Sequence, residues 1–433
     1  MNTPTLDETD VSATPLPAAH RAPGPSARPL RVVYAAASGS LGGAERALLD
    51  LMTSLGAAEP AWRLAVVAPE EGPLTEAARA LGVEARVLPF PAALAGLGDA
   101  GAADGGRGAA RLALGMLRAA PGSARYLRRL RALLGEMEPD IVHTHGLKMH
   151  LLAAWAAPAR ARVVWHLHDF VSTRRAKAGL LRRSAARVGA VVAVSRAVAE
   201  DAASVVPARV PVRTVYNAVD LQRFRMVGPS LDLDRLAGMP AAPPGTLRVG
   251  LVATMGRWKG HTVFLRAVAA LPRELPVRAC VVGGGIYRTA GSEVAVDELR
   301  LLAAELGIGE RVGFTGFVAD AAAAMRDLDV VVHASTQPEP FGLVIAEAMA
   351  CGRAVVVSAA GGAGEIVTHG HDALAVAPGD VDGLAEAIRQ LAMDPILRDR
   401  LGRAGRETAV RRFDRARLAA EIAPLYRSLM SER

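Results

Sequence analysis

The sequence predicts an α/β protein built from two doubly wound parallel sheets that face each other across a cleft. Three observations carry that prediction. Short β-branched runs alternate with longer Ala/Leu-rich helical stretches almost throughout, the pattern of βαβ units. At 433 residues the chain is too long for one ordinary hydrophobic core. Near its middle, Gly238-Met-Pro-Ala-Ala-Pro-Pro-Gly245 breaks the alternation as a linker would.

Residues 1–29 are rich in Pro, Ala and Ser and lack the basic start and apolar run of a secretory signal, so they read as a disordered tail. Residues 30–228 form the first domain, with strands expected at Leu30–Ala36, Leu64–Ala68, Ala85–Leu88, Ile141–His145, Val163–His168, Ala190–Val194 and Val212–Tyr216. Within it, the Gly/Ala-rich stretch Pro91–Gly108 reads as a mobile loop. Residues 229–245 are the linker. Residues 246–414 form the second domain, with strands at Arg248–Thr254, Val277–Gly283, Val312–Thr315, Val330–Ala334, Ala354–Ser358 and Ala373–Val376. Residues 415–433 close the chain as a helix over Arg415–Ser428. Sheets of this kind place ligands beyond the C-terminal ends of their strands.

Composition excludes several classes. Hydrophobic residues make up 51% of the chain, yet no run is long enough for a membrane-spanning helix. The two cysteines, Cys280 and Cys351, cannot build a zinc knuckle and read as small core residues in a reducing cytoplasm. The net charge of +8 comes with a cluster of Arg174, Arg175, Lys177, Arg182, Arg183 and Arg187 and with the basic helix Arg125–Arg131. This is either evenly spread charge or a face for anionic lipid headgroups or an acidic acceptor. No aromatic-studded basic groove accompanies it, which argues against nucleic acid.

The stretch Pro338-Glu-Pro-Phe-Gly-Leu-Val-Ile-Ala-Glu-Ala-Met-Ala-Cys-Gly352 is the most informative in the chain. It puts Glu339 in a Pro-bracketed turn before a helix expected from Phe341, Glu347 about two turns into that helix, and Gly352 at its end. The open N–H groups of Phe341, Gly342 and Leu343 would attract an anion. Two carboxylates for hydroxyls beside an anion site suit a nucleotide-activated sugar.

Other loops follow expected strands. Ser38-Gly-Ser-Leu-Gly-Gly-Ala-Glu-Arg46 offers Gly42 and Gly43 for close backbone approach or for a tight turn, and it is neither GxGxxG nor a Walker A. Thr254-Met-Gly-Arg-Trp-Lys-Gly-His261 carries Arg257 and Lys259, fixed cations suited to a departing phosphate. His143-Thr-His145 and His166-Leu-His168 each place two imidazoles on one strand face. They admit a metal site without a carboxylate or Cys, or satisfied core histidines, or a ligand contact. The Asp232/Asp234 and Asp327/Asp329 pairs read as chance, and Ser195 as a helix cap.

Glu339 and Glu347, within Glu-Pro-Phe-Gly-x4-Glu-Ala-Met-Ala-x-Gly, resemble the donor-site signature of family 4 retaining glycosyltransferases, also called glycosyl transferases group 1. The resemblance covers about Arg31 to Leu429 and implies the GT-B architecture, with an acceptor-binding first domain, a donor-binding second domain and a terminal helix crossing back. It implies that Glu347 binds ribose hydroxyls and Glu339 sugar hydroxyls, with backbone N–H groups of Phe341 and Gly342 assisting at the helix start before Leu343. Lys259 and Arg257 would stabilise the leaving diphosphate. The family's Arg five residues before the Lys is Thr254 here, which leaves that role to Arg257. Gly42 and Gly43 would lie near the donor phosphates, Phe317 at the nucleobase, and Glu365 in the loop behind the phosphates. His168 would lie near the reacting carbon, and Lys148 and His150 would touch the acceptor. The implied reaction retains configuration and needs no metal or other cofactor. UDP is the favoured donor nucleotide, and the acceptor is a glycan, a lipid-linked or a small molecule, at the cytoplasmic face of a membrane. A nucleotide-sugar 2-epimerase and a non-catalytic nucleotide-sugar-binding module are the rival readings.

Overall fold

The computed structural model describes residues 28–95, 107–172, 178–284 and 293–431. The tail through residue 27, residues 96–106 of the expected loop, and Arg174, Arg175 and Lys177 lie outside the described residues. The remaining ends of that loop are helical, at Ala92–Ala95 and at the start of the Arg107–Met137 helix.

All the expected strands are present. The first sheet contains β1 (Arg31–Ala36), β2 (Arg63–Ala68), β3 (Glu84–Val87), β4 (Ile141–His145), β5 (Arg162–Leu167), β6 (Ala190–Ala193) and β7 (Val212–Thr214). The second contains β8 (Leu247–Val252), β9 (Val277–Val282), β10 (Val312–Gly316), β11 (Val330–His333), β12 (Ala354–Ser358) and β13 (Leu374–Val376). Every pairing is parallel, in the orders β3-β2-β1-β4-β5-β6-β7 and β10-β9-β8-β11-β12-β13. Parallel neighbours need long crossovers, and helices on both faces bury the strands on both sides. That is why β11 and β12 are apolar up to their last residues, His333 and Ser358, with every residue of them buried. Cys280 and Cys351 are free and buried, as expected of small core residues.

The linker is better ordered than its composition suggests. Asp232 caps a short helix, Leu233–Leu236, by accepting from Arg235 N. Asp234 is 1% exposed, and a carboxylate so deeply buried must be paired. It accepts from Arg248 Nη2 at 2.9 Å, while Arg248 Nη1 reaches Asp327 at 2.5 Å. Arg248 N donates to Asp329 at 2.8 Å. The two Asp-x-Asp pairs, read as chance, are therefore corrected to a structural role. Around Arg248 they pin the linker to the edge where β8 and β11 begin.

The chain ends by crossing back. After the Pro395–Phe413 helix, Val219 N donates to Phe413 O at 2.7 Å and Arg415 pairs with Asp220 at 2.8 Å. The Arg417–Ser431 helix then lies on the Gly43–Ala58 helix of the first domain. Its inward stripe of Leu418, Ile422, Leu425 and Leu429 has helical spacing and joins Leu48, Leu51 and Leu55 in one core.

Basic side chains gather on one layer of the first domain. The Arg107–Met137 helix turns Tyr126, Leu130 and Leu134 inward and Arg125, Arg128, Arg129 and Arg131 outward. Arg131 donates to Trp155 O at 2.6 Å, and the exposed Arg183 and Arg187 lie over the Trp155 ring at 5.7 and 4.0 Å. Among the described residues no helix is long and apolar enough to cross a membrane.

Because Ile422 is fully buried between the terminal helix and the first sheet's helix layer, Ile422→Ala is expected to cost the first domain about 2–5 kcal/mol. Urea denaturation checks this: the first domain's transition should shift, and a shift confined to the second domain would contradict the packing described.

Candidate active site

In an open parallel sheet the ligand crevice forms where strand order reverses. In the second sheet that point lies between β8 and β11, and the loops leaving these two strands carry Lys259 and Glu339. Lys259 ends a 3-10 turn, Arg257–Lys259, held by Thr336 N donating to Trp258 O at 2.8 Å. Gly260 follows with φ +75°, and a Cβ there would lie 1.8 Å from Ala334 O, so only glycine lets the turn sit this close to the end of β11. The result is an ion pair, Lys259 Nζ to Glu339 Oε1 at 2.6 Å. Ser335 Oγ donates to the same oxygen at 2.5 Å, and His333 Nε2 lies 3.6 Å from it.

Glu339 is 7% exposed. Burial alone would raise its pKa, but Lys259 and His333 outweigh it and hold the carboxyl well below the usual range. Its backbone is clamped as well, with Glu339 N donating to Ala360 O and Gly362 N to Glu339 O. Sequence reasoning missed His333 and Ser335. The available signal was polar residues at the end of an otherwise apolar strand.

The helix after Glu339 spans Leu343–Ala350 rather than starting at Phe341, because Gly342 adopts φ +96° and caps it. Gly352, at φ +68°, follows its end as expected. The Phe341 ring is buried between Tyr216 and Phe413, at centroid distances of 6.1 and 5.8 Å, so only its backbone is left for a ligand. The Glu347 carboxyl accepts no side-chain hydrogen bond among the described residues, its backbone oxygen alone accepting from Cys351 N at 3.0 Å. Burial pushes its carboxyl up to about 7, partly offset by Arg46 and Arg223 and reinforced by Asp50. Arg46 and Asp50 belong to the first domain's Gly43–Ala58 helix and Arg223 to the same domain, so this second-domain carboxyl feels charges from the domain opposite. At the start of that helix Gly42 N donates to Glu45, and the space where a Gly43 Cβ would point is open.

The other expected residues are more dispersed. Arg257 is exposed and pairs with Glu298 at 3.4 Å, turned to the surface instead of joining Glu339. Phe317 stands 62% exposed beyond β10, where a Cβ at Gly284 would crowd its Cβ at 3.0 Å. The Lys148 ammonium lies 5.6 Å over the Phe90 ring. The His150 ring, expected at the acceptor, is buried, hydrogen-bonded to Thr144 at 2.7 Å and stacked on Trp165. Ser195 caps the Arg196–Ala202 helix, as expected. Glu365 braces the domains, accepting from Arg196 N, Ala197 N and Tyr216 OH.

His168 is half-buried and its Nε2 lies 3.1 Å from His145 Nδ1. Burial lowers its pKa to about 4, leaving it neutral at pH 7. Behind it, His143, His145 and His166 are fully buried and face one another. They are core histidines but not satisfied ones: the Nε2 atoms of His143 and His145 and both ring nitrogens of His166 have no hydrogen-bond partner among the described residues.

Comparison with known proteins bears on this arrangement. Residues 240–408 match the family model of glycosyl transferases group 1, and residues 41–223 match that of Glycosyltransferase Family 4. The chain is 32% identical to D-inositol 3-phosphate glycosyltransferase of Xylanimonas cellulosilytica, over 66% of this chain and 71% of that protein. It is 37% identical to lipopolysaccharide core biosynthesis glycosyltransferase LpsE of Rhizobium meliloti, over 38% of this chain; there it spans about half the relative's length, 46%. Among solved structures, Anabaena HepE in complex with UDP-glucose superposes with a TM-score of 0.74 at 27% identity, over 92% of this chain and all of HepE. Sucrose-phosphate synthase of Thermosynechococcus elongatus, 20% identical with a TM-score of 0.72 over 93% of this chain and all of its own, shares the fold.

Two outcomes follow from the electrostatics. Lys259→Met strips the counter-charge from a buried carboxylate and is expected to cost roughly 3 kcal/mol. Combined with Glu339→Gln it should cost clearly less than the sum of the single changes, as a denaturation double-mutant cycle would read; additivity would dissolve the pair. Glu347 titrates near 7 when folded against 4.5 in an unperturbed chain, so the folded state keeps its proton longer and stability falls as pH rises across that window. Glu347→Gln should flatten the Tm–pH profile there, the remaining slope belonging to Asp50, which burial likewise raises to about 7.

Proposed function

Because the chain belongs to glycosyltransferase family 4, we propose that it moves a sugar from a nucleoside diphosphate sugar, a UDP-sugar by preference, to a hydroxyl of a glycan or lipid-linked acceptor. The carrying observation is the Lys259–Glu339 pair at the reversal point of the second sheet, with Glu347 of the same stretch within electrostatic reach of Arg46 on the first domain's Gly43–Ala58 helix. Glu339 meets Lys259, Ser335 and His333 through Oε1, which leaves Oε2 for a sugar hydroxyl. An arriving diphosphate competes for the Lys259 ammonium, which then faces the charge that grows as the glycosidic C–O bond breaks.

The reaction retains configuration. The departing phosphate oxygen takes the acceptor's proton as the hydroxyl attacks the oxocarbenium-like carbon from the same face. No protein base is required on this route, and a His168 kept neutral by burial positions the sugar instead of deprotonating. Lys259, with Arg257 swung in from the surface, supplies the positive charge that a metal would otherwise bring to the diphosphate. Glu347 accepts the ribose hydroxyls, Gly342 and Leu343 offer N–H groups to the donor, and the exposed Phe317 stacks on the base.

For the acceptor, the arginines around Trp155 favour an anionic lipid surface at the cytoplasmic face of a membrane. Relatives named for lipopolysaccharide core biosynthesis agree with a cell-envelope glycan.

Incubating the purified protein with UDP-glucose, GDP-mannose and ADP-glucose and measuring released nucleotide tests this reading. Release of one nucleotide is expected, reduced about 100-fold or more in Lys259→Met or Glu339→Gln with folding checked by circular dichroism. A released isomeric UDP-sugar would instead indicate an epimerase. Full activity in both variants would overturn the site.

A further inference from the structure

We propose that His143, His145 and His166 bind a divalent transition metal of the zinc class within the first domain, at a site separate from the diphosphate-binding cations. The backbone sets up the cluster. His143 and His145 lie two residues apart on β4, so both point to one face, and His166 sits directly opposite His145 in the parallel register of β5. One ligand nitrogen from each of the three rings can be chosen so that all lie within 4.8 Å of one another. Zinc–nitrogen bonds near 2.1 Å put tetrahedral ligands roughly 3.4 Å apart, a gap that modest ring rotations close.

Two independent features point to an ion. The first is a set of buried nitrogens with no hydrogen-bond partner among the described residues, where each orphan is expensive: His143 Nε2, His145 Nε2 and both of His166. The second is that the opposite nitrogens of two ligands are already held. His143 Nδ1 meets the Tyr426 hydroxyl, and His145 Nδ1 meets His168. A partner on the far nitrogen fixes the tautomer and aims the other lone pair, which is how metal-bound imidazoles are supported. Burial keeps all three rings in the neutral form that metals bind. Three imidazoles without a carboxylate select Zn2+, Co2+, Ni2+ or Cu2+ and not Mg2+ or Ca2+.

Such an ion would tie β4 to β5 and, through Tyr426, to the terminal helix. Through His145 it would also fix the ring of His168 at the cleft. The proposal does not depend on the glycosyl-transfer reading.

Tag-free full-length protein, stripped with a chelator, would be titrated with Zn2+ against a chromophoric indicator and separately with Co2+, whose visible bands report tetrahedral nitrogen ligation. One equivalent should bind with a raised Tm. Binding should fall more than about tenfold in His166→Asn, and by roughly 10–100-fold in Tyr426→Phe, which removes only the supporting hydroxyl. Native circular dichroism guards against misfolding, and His166→Gln serves if His166→Asn fails to fold. Absence of stoichiometric Zn2+ uptake by the unaltered chain, or uptake undiminished in a folded His166 variant, would overturn the site and leave the cluster to ordered water.

Discussion

Uniform strand direction is the constraint on which everything else rests. When every strand of a sheet runs the same way, every loop that can carry chemistry emerges at one edge, and reversal of strand order opens a crevice there. The second domain puts a cation and a carboxylate into that crevice, and the first domain's Gly43–Ala58 helix brings Arg46 and Asp50 within reach of Glu347. Neither set of residues is near the other in sequence. Lys259 and Glu339 are 80 positions apart and meet only because β8 and β11 are neighbours.

The two signature glutamates then acquire opposite characters from their surroundings. Glu339 is locked ionised by a lysine at bonding distance, with a hydroxyl and an imidazole on the same oxygen. The Glu347 carboxyl has no such partner among the described residues, and desolvation raises it to about 7. Identical side chains eight positions apart thus offer a permanent anion and a carboxyl that a ligand's arrival can tip. Their environments, rather than their spacing, create the difference.

Much of this was legible in the residues. Alternating β-branched runs located every strand to within two positions, because parallel strands buried on both faces must be continuously apolar. Gly352 and Ser195 announced a helix end and a helix start through backbone chemistry that is local. What stayed hidden was non-local. Nothing near Asp234 indicates that Arg248 and Arg278 will enclose it, so its acidic neighbour made it resemble an accident. His150 looked available because Lys148 is close in sequence, yet two residues along a helix turn a side chain by about 200°, which carries the His150 ring to the other face and onto Trp165. Arg257 shares a three-residue turn with Lys259 but leaves it in another direction. Side-chain destinations of this kind depend on which strands become neighbours.

The strap that returns from the second domain carries an implication for biosynthesis. A ribosome releases the first domain's strands long before it makes the helix that covers them, since Leu418, Ile422 and Leu429 complete a core begun at Val32. The half translated earliest must therefore wait, with one apolar flank bare, while the later half is made and can mature around its own sheet. That flank would stay open until the Arg417–Ser431 helix emerges, so the order of emergence would be the reverse of the order of completion.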